Sequence, residues 1–280
     1  MKAYSALAKY YDSLTTDVPY KQYADFYEKL FRQYDAKVSL IIDLACGTGS
    51  MTRELAKRGY EMVGVDSSPD MLSIAAQYSA AQYSTAQSNT VLYSTADKSK
   101  APGGSAQSSK APETIKPEIA PIYVCQKIEE LDLYGTADAV ICSLDGINYV
   151  SPGLIQKAFH RVGLFIEPGG LFVFDINSPG KYRAMDGGVF LDETDEVFCI
   201  WRTEYSESDR KCFYGVDIFT KTGVLWKRER EEHTQYSYEP DDLVRVLTEE
   251  GFGDIRVMGE RRESKPEPDE QRIFISGRRM

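Results

Sequence analysis

The sequence predicts an α/β fold: a doubly wound, mostly parallel seven-stranded sheet closed by a terminal antiparallel hairpin, with a small antiparallel β sub-domain beside it. Three observations carry this expectation. From residue 38 to 176, strand-type apolar runs alternate with helical stripes, the pattern of a parallel sheet with crossover helices. The first of these strands runs straight into a glycine turn, IIDLACGTGS at 41–50. From 189 to 236 the helical stripes stop, and strand-type runs follow one another across short turns.

Taken in order, residues 20–34 place Tyr20, Tyr23, Tyr27, Leu30, Phe31 and Tyr34 at helical spacing. With the residues before it, this makes a helical cap over 1–36. VSLIIDL at 38–44 is a buried-type strand, 49–58 a helix stopped by Gly59, and YEMVGVD at 60–66 a second strand ending in an acid. SSPDMLSIAAQ opens with cap chemistry, since Ser67 or Ser68 can cap and Pro69 suits a first turn. AAQYS then repeats at 75–79 and 80–84 and leads into a Ser-, Ala-, Gly- and Pro-rich stretch. We read 79–120 as a low-complexity, flexible loop insertion. Order resumes with strands at 121–126 and 137–144, a helix at 152–165 with Leu154, Ile155, Ala158, Phe159, Val162 and Phe165 on one face, and a strand at 171–176. The core is therefore expected over 37–188 and 237–280, with the antiparallel sub-domain at 189–236. A helix over 239–250 and a strand pair at 253–260 and 271–278 complete it.

The bulk numbers narrow the class. The chain of 280 residues, 42% hydrophobic and 27% charged, is long enough to bury a large core. A net charge of −10 and a pI of about 4.9 disfavour a nucleic-acid partner, which needs clustered Lys and Arg. Five cysteines without a Cys-x-x-Cys pair argue against a disulfide framework, and two histidines against a His-rich metal site. No apolar signal region and no membrane-length apolar run is present. The expectation is a cytoplasmic, reduced protein without a metal, with monomer and dimer both open.

The glycine turn carries the first chemical signal. A dinucleotide fingerprint wants Gly or Ala where this chain has Thr52, and no Gly-Lys-[Ser/Thr] follows that would make a P-loop. Instead Asp43 precedes Gly47 and Gly49. A carboxylate there repels pyrophosphate and suits a ligand with a positive group. Asp66 ends the second strand 19 residues after Gly47, where a carboxylate accepts ribose hydroxyls; the alternative role is a helix cap.

Asp43-Leu-Ala-Cys-Gly-Thr-Gly resembles motif I of the class I S-adenosylmethionine-dependent methyltransferases. The opening ALAKYYDSLTTDVPYKQYADF, SLDGINYV at 143–150, PGGLFVFDINSP at 168–179 and EEHTQYSY at 231–238 resemble further segments of small bacterial members, and the likeness covers most of the chain except 79–120. It implies a Rossmann-like fold, S-adenosylmethionine as cofactor and S-adenosylhomocysteine as product. Ala45, Cys46, Gly47 and Gly49 would approach the amino-acid moiety, with Asp43 holding its ammonium, and Asp66 and Ser67 would sit at the ribose. Met71, Gln126, Lys127 and Ile128 would surround the adenine, and Leu144 and Asp145 the sulfonium. Tyr11 and Tyr20 would close over the cofactor, with Tyr10 an alternative to Tyr11, and an aromatic face suits a sulfonium. Relatives carry an acid where this chain has Lys127, which has donors only. That leaves Gln126 and the Ile128 backbone for the adenine amine.

Asp145 and Asn148 can orient an acceptor or simply shape their turn. His233, by strand alternation with Glu231 and Gln235, can face inward and deprotonate an acceptor, or lie on a charged surface. His160, beside Phe159, reads as structural. Methyl transfer is mostly positioning, with nucleophile, methyl and sulfur in line. The expected activity is methyl transfer to N or O of a small molecule, with the 189–236 sub-domain covering the acceptor site. The alternatives are methylation of a tRNA or protein, and a non-catalytic S-adenosylmethionine-binding protein.

Overall fold

The computed structural model describes residues 4–93 and 119–280. Two helices come first, α1 (Tyr11–Leu14) and α2 (Tyr20–Gln33). Strand and helix then alternate through β1 (Leu40–Leu44), α3 (Ser50–Lys57), β2 (Glu61–Asp66), α4 (Pro69–Tyr93), β3 (Ile122–Cys125), β4 (Ala137–Cys142), α5 (Ile155–Leu164) and β5 (Ile166–Asn177). After α6 (Pro179–Met185) come four strands, β6 (Val189–Glu193), β7 (Val197–Ser206), β8 (Lys211–Thr222) and β9 (Leu225–Tyr236). The chain closes with α7 (Pro240–Glu249), β10 (Phe252–Met258) and β11 (Arg272–Arg279).

The strands form two sheets. One has seven strands in the order β10-β11-β5-β4-β1-β2-β3, and the other is β6-β7-β8-β9. Pairing through β3, β2, β1, β4 and β5 is parallel, and β11 joins β5 and β10 antiparallel. The second sheet is antiparallel throughout. This is the doubly wound α/β fold with a terminal hairpin that the residue pattern predicts.

Alternation along the central strands feeds two cores. Ile42, Leu44, Val140, Phe172 and Phe174 pack with Ile155, Phe159 and Val162 of α5 and Leu243 and Leu247 of α7. Ile41, Ile141, Leu171 and Val173 pack with Tyr23, Tyr27, Leu30 and Phe31 of α2 and Met51 and Leu55 of α3. Both faces of β1 and β4 are thus buried, which explains why their sequences read as unbroken apolar runs.

Two expectations are corrected. Residues 79–93 are not loop: they continue α4, and 94–118 of the expected insertion lie outside the described residues. The reason is visible in the repeat itself. Ala75, Ser79 and Tyr83 stand at i, i+4 and i+8 and are all buried, and the Ser79 hydroxyl pairs with Tyr123 of β3 at 2.9 Å. An alanine-rich repeat is good helix sequence when one face has a partner. Leu154 is the second correction; it precedes α5 and is exposed rather than part of its apolar face. His160 is also exposed and meets Glu250 at 2.9 Å.

Register places Leu44 beside Val65 and Cys142, and Asp66 beside Cys125. The loops following β1 to β4 therefore leave one edge of the sheet together. Among the described residues, no helix is long and apolar enough to cross a membrane.

Candidate active site

A cavity of about 570 Å³ opens at that edge. Its floor is the turn after β1, where Ala45 (φ +53°), Gly47 (φ +55°) and Gly49 (φ +76°) are all left-handed. Gly49 is required twice over: its φ disfavours any side chain, and a Cβ would lie 2.6 Å from the Tyr123 hydroxyl. It does not line the cavity but precedes α3, so its expected direct contact with cofactor is replaced by a role in bringing α3 and β3 close. Ala45, Cys46 and Gly47 do line it.

Asp43 lines the cavity and is fully buried. Its partner is Thr52, whose hydroxyl donates to Oδ2 at 2.6 Å. The residue that breaks the dinucleotide pattern is thus the one that holds the acid. Burial pushes the Asp43 carboxyl up to about 7; the Thr52 hydroxyl works against this and the nearby Asp66 adds to it. Asp66 accepts the Gly47 N–H at 2.9 Å and the Ser68 N–H at 2.8 Å, so it ties the first turn to the second. Burial raises its pKa also, offset by those N–H groups. The thiol of Cys46 is raised by burial and by both acids, which keeps it protonated and no nucleophile.

Ser67, Met71, Gln126, Lys127 and Ile128 line the far end. The Gln126 side chain is committed elsewhere. Its amide donates to Asp132 O and accepts the Asp132 N–H, both at 2.9 Å, so it does not supply the expected acceptor for an adenine amine. Lys127 is solvated and pairs with Glu130 at 3.6 Å.

Leu144 lines the cavity from the turn after β4, where it and Asp145 are both left-handed (φ +57° and +58°). Two such non-glycine residues in succession are strained and need outside support. Asp145 supplies it instead of facing the cavity. Its N–H donates to Asp175 Oδ1 at 2.9 Å, Arg272 donates to Oδ1 at 2.8 Å, and Gln235 donates to Oδ2 at 2.6 Å. Asn148 is equally occupied, donating to Tyr236 O at 2.8 Å and accepting the Asn177 N–H at 2.9 Å. Neither orients an acceptor in this structure; both hold the turn to β5 and β9.

Tyr11 and Tyr20 line the cavity as expected, joined by Tyr4 and Tyr149, whose hydroxyls pair at 2.6 Å. Burial raises the pKa of all four phenols, so they are neutral walls. His233 is buried as alternation allows, but it lies behind Tyr4, its ring 4.5 Å from that of Tyr4, and does not line the cavity. A base there is one side chain removed from any acceptor.

Tyr4, Thr52 and Asp12 escaped the sequence reading. Asp12 accepts from the Thr48 hydroxyl at 2.5 Å and fastens α1 to the glycine turn. Only Thr52 left a signal, the missing third glycine. Among the described residues of the lining, setting aside the tyrosines and Cys46, the ionisable side chains are the acids Asp43, Asp66, Asp70 and Glu129 and the one base Lys127. Such a field favours a cationic ligand and opposes a phosphate.

Comparison with known proteins agrees with this chemistry. A family model described as a methyltransferase domain matches residues 41–107. A relative from Geobacillus sp. (strain WCH70) that carries the name methyltransferase is 24% identical over 276 residues, covering 97% of this chain and 98% of its own. The crystal structure of an S-adenosylmethionine-dependent methyltransferase from Clostridium acetobutylicum ATCC 824 superposes with a TM-score of 0.76 at 26% identity and 99% coverage of both chains. CalS10 from Micromonospora echinaspora, an amino pentose methyltransferase, shares the fold at a TM-score of 0.66 and 14% identity, over 100% of this chain and 99% of its own. Together these findings support a class I S-adenosylmethionine-dependent methyltransferase.

Proposed function

We propose that this chain transfers a methyl group from S-adenosylmethionine to a nitrogen or oxygen of a small molecule. The observation that carries the cofactor half is the acid-lined, phosphate-repelling cavity built on Asp43, the glycine turn and Asp66. When bound, the cofactor supplies a methyl group activated on a sulfonium. The residues fit it. Asp43 is a buried acid with no cationic partner among the described residues, Asp66 stands at the second strand end for the ribose diol, and Met71 and Ile128 offer apolar walls for the adenine.

The acceptor half rests on enclosure. The tyrosine walls and the antiparallel sheet behind them leave a chamber of small-molecule size. The turn holding Leu144 is fixed from behind by Arg272 and Asp175, so these residues position the reacting groups and none of them moves a proton. CalS10, named as an amino pentose methyltransferase and similar in fold, supports a small-molecule acceptor.

Calorimetric titration with S-adenosylmethionine and S-adenosylhomocysteine, with NAD as control, tests this. Binding of the first two and not the third is expected; binding of NAD alone would overturn it. Asp66→Asn keeps the size of the side chain and removes its charge. It is expected to weaken cofactor binding roughly ten- to a hundredfold, the range for a lost charge-assisted hydrogen bond. Unchanged affinity would remove Asp66 from the ribose site.

A further inference from the structure

The first described residues, Tyr4–Leu7, form a strap across the tyrosine end of the cavity. What holds this strap is a single side chain from a distant strand. Glu231 of β9 is buried, and its Oε2 accepts the Tyr4 N–H at 2.8 Å. Its Oε1 accepts the N–H groups of Ser5 at 2.9 Å, Ala6 at 2.5 Å and Leu7 at 3.1 Å. Consecutive N–H groups converging on one carboxylate make an anion nest. Burial acts to raise the Glu231 carboxyl, but His233 beside it and these N–H groups outweigh burial and hold it down at about 2. The carboxylate is therefore charged at any working pH, and its hydrogen bonds are of the strong, charge-assisted kind.

The strap reaches both halves of the molecule. Leu7 anchors its end among Val197, Cys199, Val216 and Ile218 of the antiparallel sheet. At the other end, Tyr4 O accepts from the Ser68 hydroxyl at 3.2 Å, two residues from Asp66. Between them the Tyr4 ring forms cavity wall, with its hydroxyl on Tyr149 and its edge against Tyr11 at 5.9 Å. Tyr4 itself is left-handed (φ +59°), a conformation a tyrosine keeps only under restraint.

Beneath the strap lie polar groups that the protein leaves unsatisfied. Among the described residues, His233 Nδ1 has no hydrogen-bond partner, and Nε2 faces only the Glu231 carboxylate, 3.3 Å from Oε2. The indole N–H of Trp201, whose ring is 6.2 Å from that of His233, is also buried and has no partner among the described residues. Buried polar groups without partners are uncommon and call for a role. Here they stand one side chain beyond the cavity, with Tyr4 as the partition.

We propose that Glu231 is a positioning residue whose carboxylate latches the N-terminal strap over the cavity, and that its release is the step that opens the cavity to exchange and uncovers His233 and Trp201. The cofactor arm of the test rests on the methyltransferase reading above; the strap arm does not. Amide hydrogen exchange of Tyr4–Leu7 is measured by NMR on the full chain, alongside the dissociation rate of S-adenosylhomocysteine. In the unaltered protein these amides are protected. Glu231→Ala is expected to speed exchange of all four roughly ten- to a hundredfold and to raise the dissociation rate in step. Glu231→Gln presents one acceptor oxygen in place of two. It is expected to free the Tyr4 amide while Ser5, Ala6 and Leu7 keep much of their protection, a graded result that general destabilisation does not give. Glu232→Gln, an exposed neighbour, is expected to change neither. Equal protection in all variants would overturn the latch. Faster exchange with an unchanged dissociation rate would overturn the gate. Absence of any S-adenosylhomocysteine binding would overturn the cofactor assignment, and the amide pattern would still decide the latch.

Discussion

Asp43→Asn is expected to abolish measurable S-adenosylmethionine binding while raising the melting temperature of the free protein. The acid is fully buried, its side-chain hydrogen bonds come from the neutral hydroxyl and backbone N–H of Thr52, and burial pushes its carboxyl up to about 7. The folded pKa is above the unfolded one, so the folded chain holds this proton more tightly. Stability is therefore lost as pH rises from about 4 to about 7, by up to roughly 4 kcal/mol at ~1.36 kcal/mol per pKa unit. At about pH 8 the buried charge is fully present. Asparagine removes it and still accepts from Thr52, so the variant is expected to melt higher. The same substitution takes away the group that meets the ligand's ammonium.

A linked effect follows in the unaltered protein. A cationic ligand needs Asp43 ionised, so affinity is expected to fall toward tenfold per pH unit below about 7, with a proton released on binding. Calorimetry at about pH 6 and about pH 8, in buffers of different ionisation enthalpy, reads both. A flat profile with no proton release would show that Asp43 does not meet the ligand's charge.

Arg272→Met is expected to be the most destabilising single change at this site. Arg272 donates to Asp175 Oδ2 at 2.6 Å and to Asp145 Oδ1 at 2.8 Å, with Asp175 wholly buried and Asp145 partly buried. Removing the cation leaves the buried Asp175 carboxylate uncompensated beside the partly buried Asp145, a loss of about 3–5 kcal/mol for a broken buried pair. At ~2–4 °C per kcal/mol for a large domain this is a drop of roughly 10 °C in melting temperature. The left-handed Leu144 and Asp145 would lose the brace that holds them, so cofactor affinity is expected to fall as well. Arg272→Lys keeps the charge but cannot reach both acids with one fork, and is expected to recover less than half of the loss. A melting temperature within about 2 °C of the parent for Arg272→Met would show that the network contributes little.

The sequence was informative wherever a residue's role depends on its neighbours along the chain. Helical spacing marked α2 through Tyr23, Tyr27, Leu30 and Phe31, and all of these are buried. Alternation put His233 on the same side of β9 as Glu231 and Gln235, and all three are buried. The acid before the glycine turn and the acid ending β2 were legible because a strand, a turn and a helix N-terminus are local events. The same logic failed at 79–93. A five-residue repeat reads as low complexity until Tyr123, more than forty positions away, gives one face of the helix something to pack on.

By itself, the sequence determined the doubly wound sheet, the antiparallel strands beside it and an acid-lined ligand turn. Each of these follows from periodicity and turn chemistry within a few residues. Only the tertiary structure decided which polar residues meet a ligand and which hold the walls. Asp145 and Asn148 look free to act on paper, but strands β5, β9 and β11 bring Asp175, Asn177, Gln235 and Arg272 onto the same turn and use up their hydrogen bonds. Glu231 looked like one more charge in KREREE until the strap placed four N–H groups on it. Hydrogen-bonding capacity is finite. Which partner consumes it is settled by chain segments that are adjacent in space and remote in sequence.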